Sequence, residues 1–388
     1  MSAHEVYVAG IAQTRVGELW DYSIRDLAAK VIMEARKEAG GLLPRAVYVG
    51  NMLASSASHQ ANLGSLFAEY ANLQGAEGAT AEASEASGGA ALRLAWTAVK
   101  SGLVDVAIAV GVEKATDVLG ARLDALVSHS LDADFEAAEG MTPVTQAAIL
   151  MQRYLFENHF PREALSYFPL IAHSNAVGNP NAMYRKAVKV ESYHKASLLA
   201  DPLNFYDVAP YADGAAAVIL TRRELLPSQG DHPLVKISSS SSISSRLAVH
   251  DRVDPLFFES AAVSIQQACW KAGINMADLD FFEYSDNTTM HAVLSLEAAG
   301  LAPKGQGWKL GSDGSIQQGG SMPVATMGGH KARGFPLGAA GVYQAVEAVL
   351  QLRGEARDCQ VHGARRGMVQ ILGGTGSIAI THILERVG

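Results

Sequence analysis

Apolar residues run together at Val6–Ile11, a short continuous stretch of the kind that fills a buried strand. The period then changes. Leu27, Val31, Ile32 and Ala35 recur at helical spacing behind a Ser23/Asp26 pair that fits a capping box, and Gly40-Gly41 ends the run. Ala46–Gly50 reads as a strand, followed by polar and Ala-rich helical segments to Gly75. A strand over Thr80–Ser84, a helix over Ala86–Lys100 and a strand over Val104–Gly111 come next. Later the order starts again. Leu234–Ile237 predicts a strand, and Asp254-Pro255 predicts a capped helix to Lys271, with Pro where its missing N–H is harmless and Gly273 as the stop. Phe281–Tyr284 predicts a strand, Leu337–Leu352 a helix, and Met368–Leu372 with Ser377–Leu384 a closing hairpin. The run Ser238–Ser245 looks like low complexity and is read as a strand end and loop.

The repeated order predicts two α/β halves, 1–233 and 234–388. The helices over Ala86–Lys100 and Leu337–Leu352 carry small residues at their starts and very little charge: Arg93 and Lys100 in one, Glu347 and then Arg353 in the other. Helices apolar nearly all round are buried on nearly all sides. Two of them between two sheets give a duplicated five-layer αβαβα sandwich. Between Gly111 and Asp213 the symmetry breaks. A loop domain at about 116–205, rich in Pro, His, Tyr and Asn and helical at Thr145–Asn158, is expected to cover the mouth of a site.

Composition narrows the function. Of 388 residues, 31 are Lys or Arg and 39 Asp or Glu, and no basic run exceeds two residues, which argues against nucleic acid and anionic membranes as partners. No apolar stretch is long enough to span a bilayer, and the start has no signal-like pattern. Two cysteines, Cys269 and Cys359, lack metal-ligand spacing and are too few for a disulfide framework, so a cytoplasmic location is expected.

Five stretches, in order, resemble the thiolase superfamily, of the archaeal and sterol-carrier-protein type. "EASGGAALRLA" (Glu85–Ala95) resembles the nucleophile segment, usually C-A-S-G-G. "NPNAMYRKAVKVE" (Asn179–Glu191) and "DVAPYADGAAAVIL" (Asp207–Leu220) resemble the insert and its return strand. "TMGGHKARGFPLGAAG" (Thr326–Gly341) resembles G-G-x-x-x-x-G-H-P-x-G-A-x-G, and "LGGTGS" (Leu372–Ser377) the terminal Gly-rich turn. The resemblance implies the thiolase fold and a coenzyme A thioester as ligand, with no covalently bound cofactor. It also implies departures at the site. Glu85 stands where the family has its nucleophilic Cys, whose thiolate the helix N-terminus stabilises. Phe335 stands for the activating His of G-H-P and cannot move a proton. Ser285-Asp286-Asn287-Thr288 stands for H-D-A-F, so Ser285 replaces a second His. Ala325 replaces an Asn, and the C-terminal catalytic Cys of many members has no counterpart.

Glu85 admits two readings: a charge capping the helix, or a general base whose pKa burial raises. The Glu85 and Gly374 N–H groups are expected to remain as an oxyanion pocket. His330 replaces an aliphatic residue and is read chiefly as turn-exposed, with replacement of the lost imidazole as the alternative. Asp286, Tyr284 and Tyr211 are proton-transfer candidates or structural groups. His291 faces pocket or solvent, and His173 lines an acyl-CoA mouth or is an ordinary loop histidine. No metal site is expected. Three functions follow. The first is an acyl-CoA-binding subunit without thiolase activity beside an active partner. The second is altered chemistry on CoA thioesters, such as the retro-aldol cleavage of some Cys-less relatives, with Glu85 as base. The third is an ordinary acetyl-CoA acetyltransferase, against which the residues speak. The family further implies a dimer or tetramer, and a zinc-ribbon/OB-fold partner protein.

Overall fold

The computed structural model describes residues 4–227 and 232–387. The chain opens on β1 (Tyr7–Gln13) and α1 (Ile24–Glu38), whose capping box forms as expected: Ser23 Oγ accepts from the Asp26 N–H at 3.2 Å and the Asp26 carboxylate from the Ser23 N–H at 2.9 Å. Then come β2 (Ala46–Gly50), α2 (Leu63–Tyr70), β3 (Glu77–Ala81), α3 (Ser87–Lys100) and β4 (Val106–Glu113). The excursion holds α4 (Pro143–Asn158) and α5 (Tyr167–Asn175) before β5 (Gly214–Thr221) returns to the sheet. The second half comprises β6 (Leu234–Ser244), α6 (Glu259–Ala272), β7 (Phe281–Glu283), α7 (Thr289–Ala298), α8 (Gly329–Arg333), α9 (Ala340–Arg353), β8 (Arg366–Gly373) and β9 (Ile378–Val387).

The duplication is visible in the pairing. In the first half β2 runs parallel to β3 and β4, β4 antiparallel to β5, and β5 antiparallel to β1. In the second, β7 runs parallel to β8 and makes a parallel bridge from Phe282 to Val324, while β8 pairs antiparallel with β9 and β9 with β6. The order across is β3-β2-β4-β5-β1-β6-β9-β8-β7, and the halves meet where Tyr7 lies opposite Lys236 and the Ile237 N–H donates to the Val6 carbonyl at 3.0 Å. The α1 and α2 helices cover one outer face, α6 the other, and α3 and α9 lie between the two half-sheets, which makes five layers. Small residues let the central helices close up: a Cβ on Gly341 would lie 2.5 Å from the Gly89 nitrogen.

Four sequence expectations shift. The strand placed at Thr80–Ser84 is β3 at Glu77–Ala81, because Ala83 and Ser84 form the turn into α3. Asp254-Pro255 does not cap α6. Asp254 makes a local turn to Leu256 and Phe257, and the helix begins at Glu259 after Phe258. Ser238–Ser244 is the body of the eleven-residue β6, its serines bonding sideways, as Ser239 Oγ does to the Ala268 carbonyl at 2.7 Å. The helix expected from Leu337 starts as a 3₁₀ turn, Leu337–Ala339, and becomes α-helical at Ala340.

Candidate functional site

The head of α3 is a tight turn. Ser84 adopts φ 52°, and Ser87 Oγ braces it, accepting from the Ala83 N–H at 2.9 Å and donating to the Ser84 carbonyl at 2.5 Å. The next residue, Glu85, is 2% exposed, and its Oε2 accepts from the Gly374 N–H at 2.7 Å. Burial pushes its carboxyl up from the ordinary range, only partly opposed by the backbone N–H groups of Glu85 and Gly374. The expected oxyanion pair is therefore corrected: the carboxylate of Glu85 itself takes the Gly374 donor.

The space beside this pair, lined by Glu85, Tyr211, Asn287, His291, Phe335 and Gly374, is about 20 Å³, room for one water. Phe335 closes it. Its backbone is held between the Pro210 carbonyl (2.9 Å) and the Ala212 N–H (3.0 Å), and its buried ring stacks on His330 at 4.6 Å.

His330 is fully buried, which corrects the turn-exposed reading: Gly328 and Gly329 turn the chain inward, and Asp286 caps α8 by accepting from the His330 N–H at 2.6 Å. Its Nδ1 lies 2.9 Å from Asn287 Oδ1, so with the amide oxygen as acceptor the proton sits on Nδ1, and Nε2 has no partner among the described residues. Burial, then the charges of Arg333 and Lys331, hold the ring neutral. Asp286 is itself buried and raised.

Ser285 is absent from the cavity wall. Its hydroxyl accepts from the Leu372 N–H at 2.8 Å and braces β8. Tyr284 packs on Phe282 and also lies off that wall. His291 reaches the wall, its Nδ1 2.9 Å from Thr288 Oγ1, and burial pushes it down to about 4. Cys269 and Cys359 are buried elsewhere, and burial raises both thiols. Among the described residues, no group of three or more His, Cys, Asp or Glu is placed to hold a metal, and no helix is long and apolar enough to cross a membrane.

A larger pocket of about 210 Å³ shares the Val144, Val208, Ala209 and Tyr211 wall with this cavity. His173 lines it, 6% exposed, stacked on Tyr184 at 5.9 Å and pushed down to about 4 by burial. So does Lys331, which sequence reasoning missed. It is 2% exposed, and burial lowers it to about 8. Also missed were the fully buried Arg333–Glu347 pair at 2.8 Å and Glu113, which accepts from the N–H groups of Met52, Leu53 and Gly338. The available signal was the string His330-Lys331-Ala332-Arg333, three cationic types inside an otherwise uncharged Gly-rich segment.

With this geometry in place, the relatives can be set beside it. The model for "Thiolase, N-terminal domain" matches residues 6–224, and that for "Thiolase C-terminal domain-like" matches 241–386. The chain belongs to the thiolase family. It is 39% identical over 384 residues to an acetyl-CoA acetyltransferase of Methanothermobacter thermautotrophicus, covering 98% of this chain and 100% of that one. It is 29% identical to the benzoylsuccinyl-CoA thiolase subunit BbsB of Thauera aromatica, covering 95% of each. Among solved structures, the Ltp2-ChsH2(DUF35) aldolase shares the fold at a TM-score of 0.84 and 20% identity, covering 100% of this chain and 99% of that one.

Proposed function

We propose that this chain binds acyl-CoA, makes no acyl-enzyme, and acts as a subunit beside an active thiolase-type partner. The observation that carries this reading is Glu85, whose carboxylate occupies the head of α3 and accepts from the Gly374 N–H. A thiolate is the nucleophile this family's chemistry needs at that point, and Phe335 offers no base to make one. Acyl-CoA as ligand is supported by family membership and by the CoA thioester in the names of both relatives. The subunit role is supported by BbsB, which is named as a subunit, and a partner of the zinc-ribbon/OB-fold kind by the DUF35 component of the solved aldolase. We place the protein in the cytoplasm, as a homodimer or tetramer. Incubation with acetyl-CoA followed by intact-mass measurement tests the reading: no fold-dependent acetyl adduct is expected, and a stoichiometric adduct on Cys269 or Cys359 overturns it.

One observation favours a second reading, retro-aldol cleavage of a CoA thioester with Glu85 as base. Burial raises the Glu85 carboxyl, which makes it a stronger base, and Tyr211 shares its cavity. That reading requires release of a carbonyl product that Glu85→Gln abolishes.

A further inference from the structure

The 210 Å³ pocket is lined by a cation that has no carboxylate in direct contact among the described residues. Lys331 Nζ has three N–H donors, and its one partner among the described residues is the Asp207 carbonyl at 2.6 Å. The nearby carboxylates are engaged elsewhere. Asp207 accepts from Tyr193 at 3.0 Å, Thr289 at 2.7 Å and the Asn204 N–H at 2.9 Å, and pairs with Arg162 at 3.2 Å. Asp286 accepts from the His330 N–H. Among the described residues, no carboxylate is in ion-pair contact with the ammonium. A buried charge is stabilised by an opposite charge with good hydrogen bonds, and Lys331 is one of the residues that line the open pocket.

A second unfilled group lines the same space. His173 is buried, and its Nδ1 has no hydrogen-bond partner among the described residues. A neutral imidazole presents an N–H at Nδ1 in one of its two tautomers, and a neighbouring anion favours that one. The rest of the wall is apolar or phenolic: Val144, Leu199, Phe205 and Val208, with Tyr184 and Tyr206. The one carboxylate on the wall, Asp124, is exposed at the rim. The volume lies below the ~300 Å³ at which pockets for drug-sized ligands begin, so a short acyl group fits and the nucleotide end of coenzyme A stays outside.

We propose that this pocket selects short dicarboxylic acyl groups, with the distal carboxylate bound between Lys331 Nζ and His173 Nδ1. The proposal rests on the acyl-CoA reading above and adds the substrate class. Lys331 keeps its proton at neutral pH, since burial brings it down only to about 8 against the pull of Asp286 and Asp207.

Calorimetric titration at pH 7 with succinyl-CoA and butyryl-CoA, equal in carbon count, tests it. Succinyl-CoA is expected to bind roughly tenfold tighter or more, the size of a hydrogen bond to a charged group. Lys331→Met should erase that preference. If this variant does not fold, His173→Phe serves in its stead and should narrow the preference. Equal affinities for the two thioesters, or a preference that survives both substitutions, overturn the proposal. Free glutarate and pentanoate form a separate arm. If neither thioester binds but glutarate binds in a Lys331-dependent way, the coenzyme A reading falls and the carboxylate subsite stands. If glutarate fails as well, both fall.

Discussion

Replacing Phe335 by Ala isolates the residue that closes the site. The ring is 2% exposed and stacks on His330, and its backbone is fixed by bonds to Pro210 and Ala212, so the wall has little freedom to collapse into the space left behind. A buried Phe→Ala change costs ~3–5 kcal/mol, and incomplete collapse puts this site toward the upper end. Against a total stability of ~5–15 kcal/mol the variant should still fold. Urea unfolding at pH 7 measures the loss. The same change enlarges a cavity of about 20 Å³ that now admits one water, so a thioester should reach Glu85 only in the variant. Glu85→Gln should therefore alter acyl-CoA affinity in the Phe335→Ala background and leave it unchanged in the parent. A stability loss below about 1 kcal/mol would show that the ring does not fill the site. An effect of Glu85→Gln in the parent would show that ligand already reaches the carboxylate, and either result refutes the closed-site account.

Glu85→Cys alone should not restore acetoacetyl-CoA cleavage, because Phe335 cannot deprotonate the thiol and Ser285 is turned to Leu372; efficient turnover by the single variant would contradict this. The Glu85 carboxyl is raised by burial, so its contribution to stability is fully present below the ordinary carboxylate range, about 4.3, and is lost as pH rises through its raised value. Glu85→Gln, always neutral, should thus gain stability over the parent at pH 8, and the gain should shrink toward pH 5, read from urea midpoints. Arg333→Met strands Glu347, which burial already raises to about 8, and should cost ~3–5 kcal/mol at alkaline pH. That cost should diminish as pH falls and Glu347 takes up a proton, and the double change with Glu347→Gln should recover most of it. A pH-independent loss would place its origin in packing against Tyr343.

The layers were legible because each rests on a local rule. The capping box at Ser23, the sparsely charged stretches of α3 and α9 and the turn glycines act within a few residues, and their elements appear where expected apart from the 3₁₀ turn that opens α9. The misplacements come from partners distant in sequence. Ser238–Ser244 has poor strand composition but pairs along its whole length with β9, and that ladder overrides propensity. Asp254-Pro255 carries a sound start signal, yet Asp254 bonds forward within a turn before α6 begins. The burial of His330 was not visible for the same reason. A short polar segment between glycines looks exposed in one dimension, and only its docking against Asp286, Asn287 and Phe335 puts it inside.

The polar groups of the site divide into two sets. Around the head of α3 they are taken up by backbone N–H groups: Glu85 by that of Gly374, Ser285 by that of Leu372, Asp286 by that of His330 at the start of α8. Groups satisfied in this way have little left for a ligand, because each new bond must replace one already made. One wall away the situation reverses. Among the described residues Lys331 has donors to spare and His173 Nδ1 has no partner, and both residues line the open pocket. Unsatisfied buried polar groups are costly to keep, and a ligand that completes them recovers that cost as affinity. Under the proposed function, Glu85 and Phe335 at the head of α3 and the spare donors of Lys331 beside His173 fit one account, in which acyl transfer no longer takes place and the neighbouring pocket recognises the ligand.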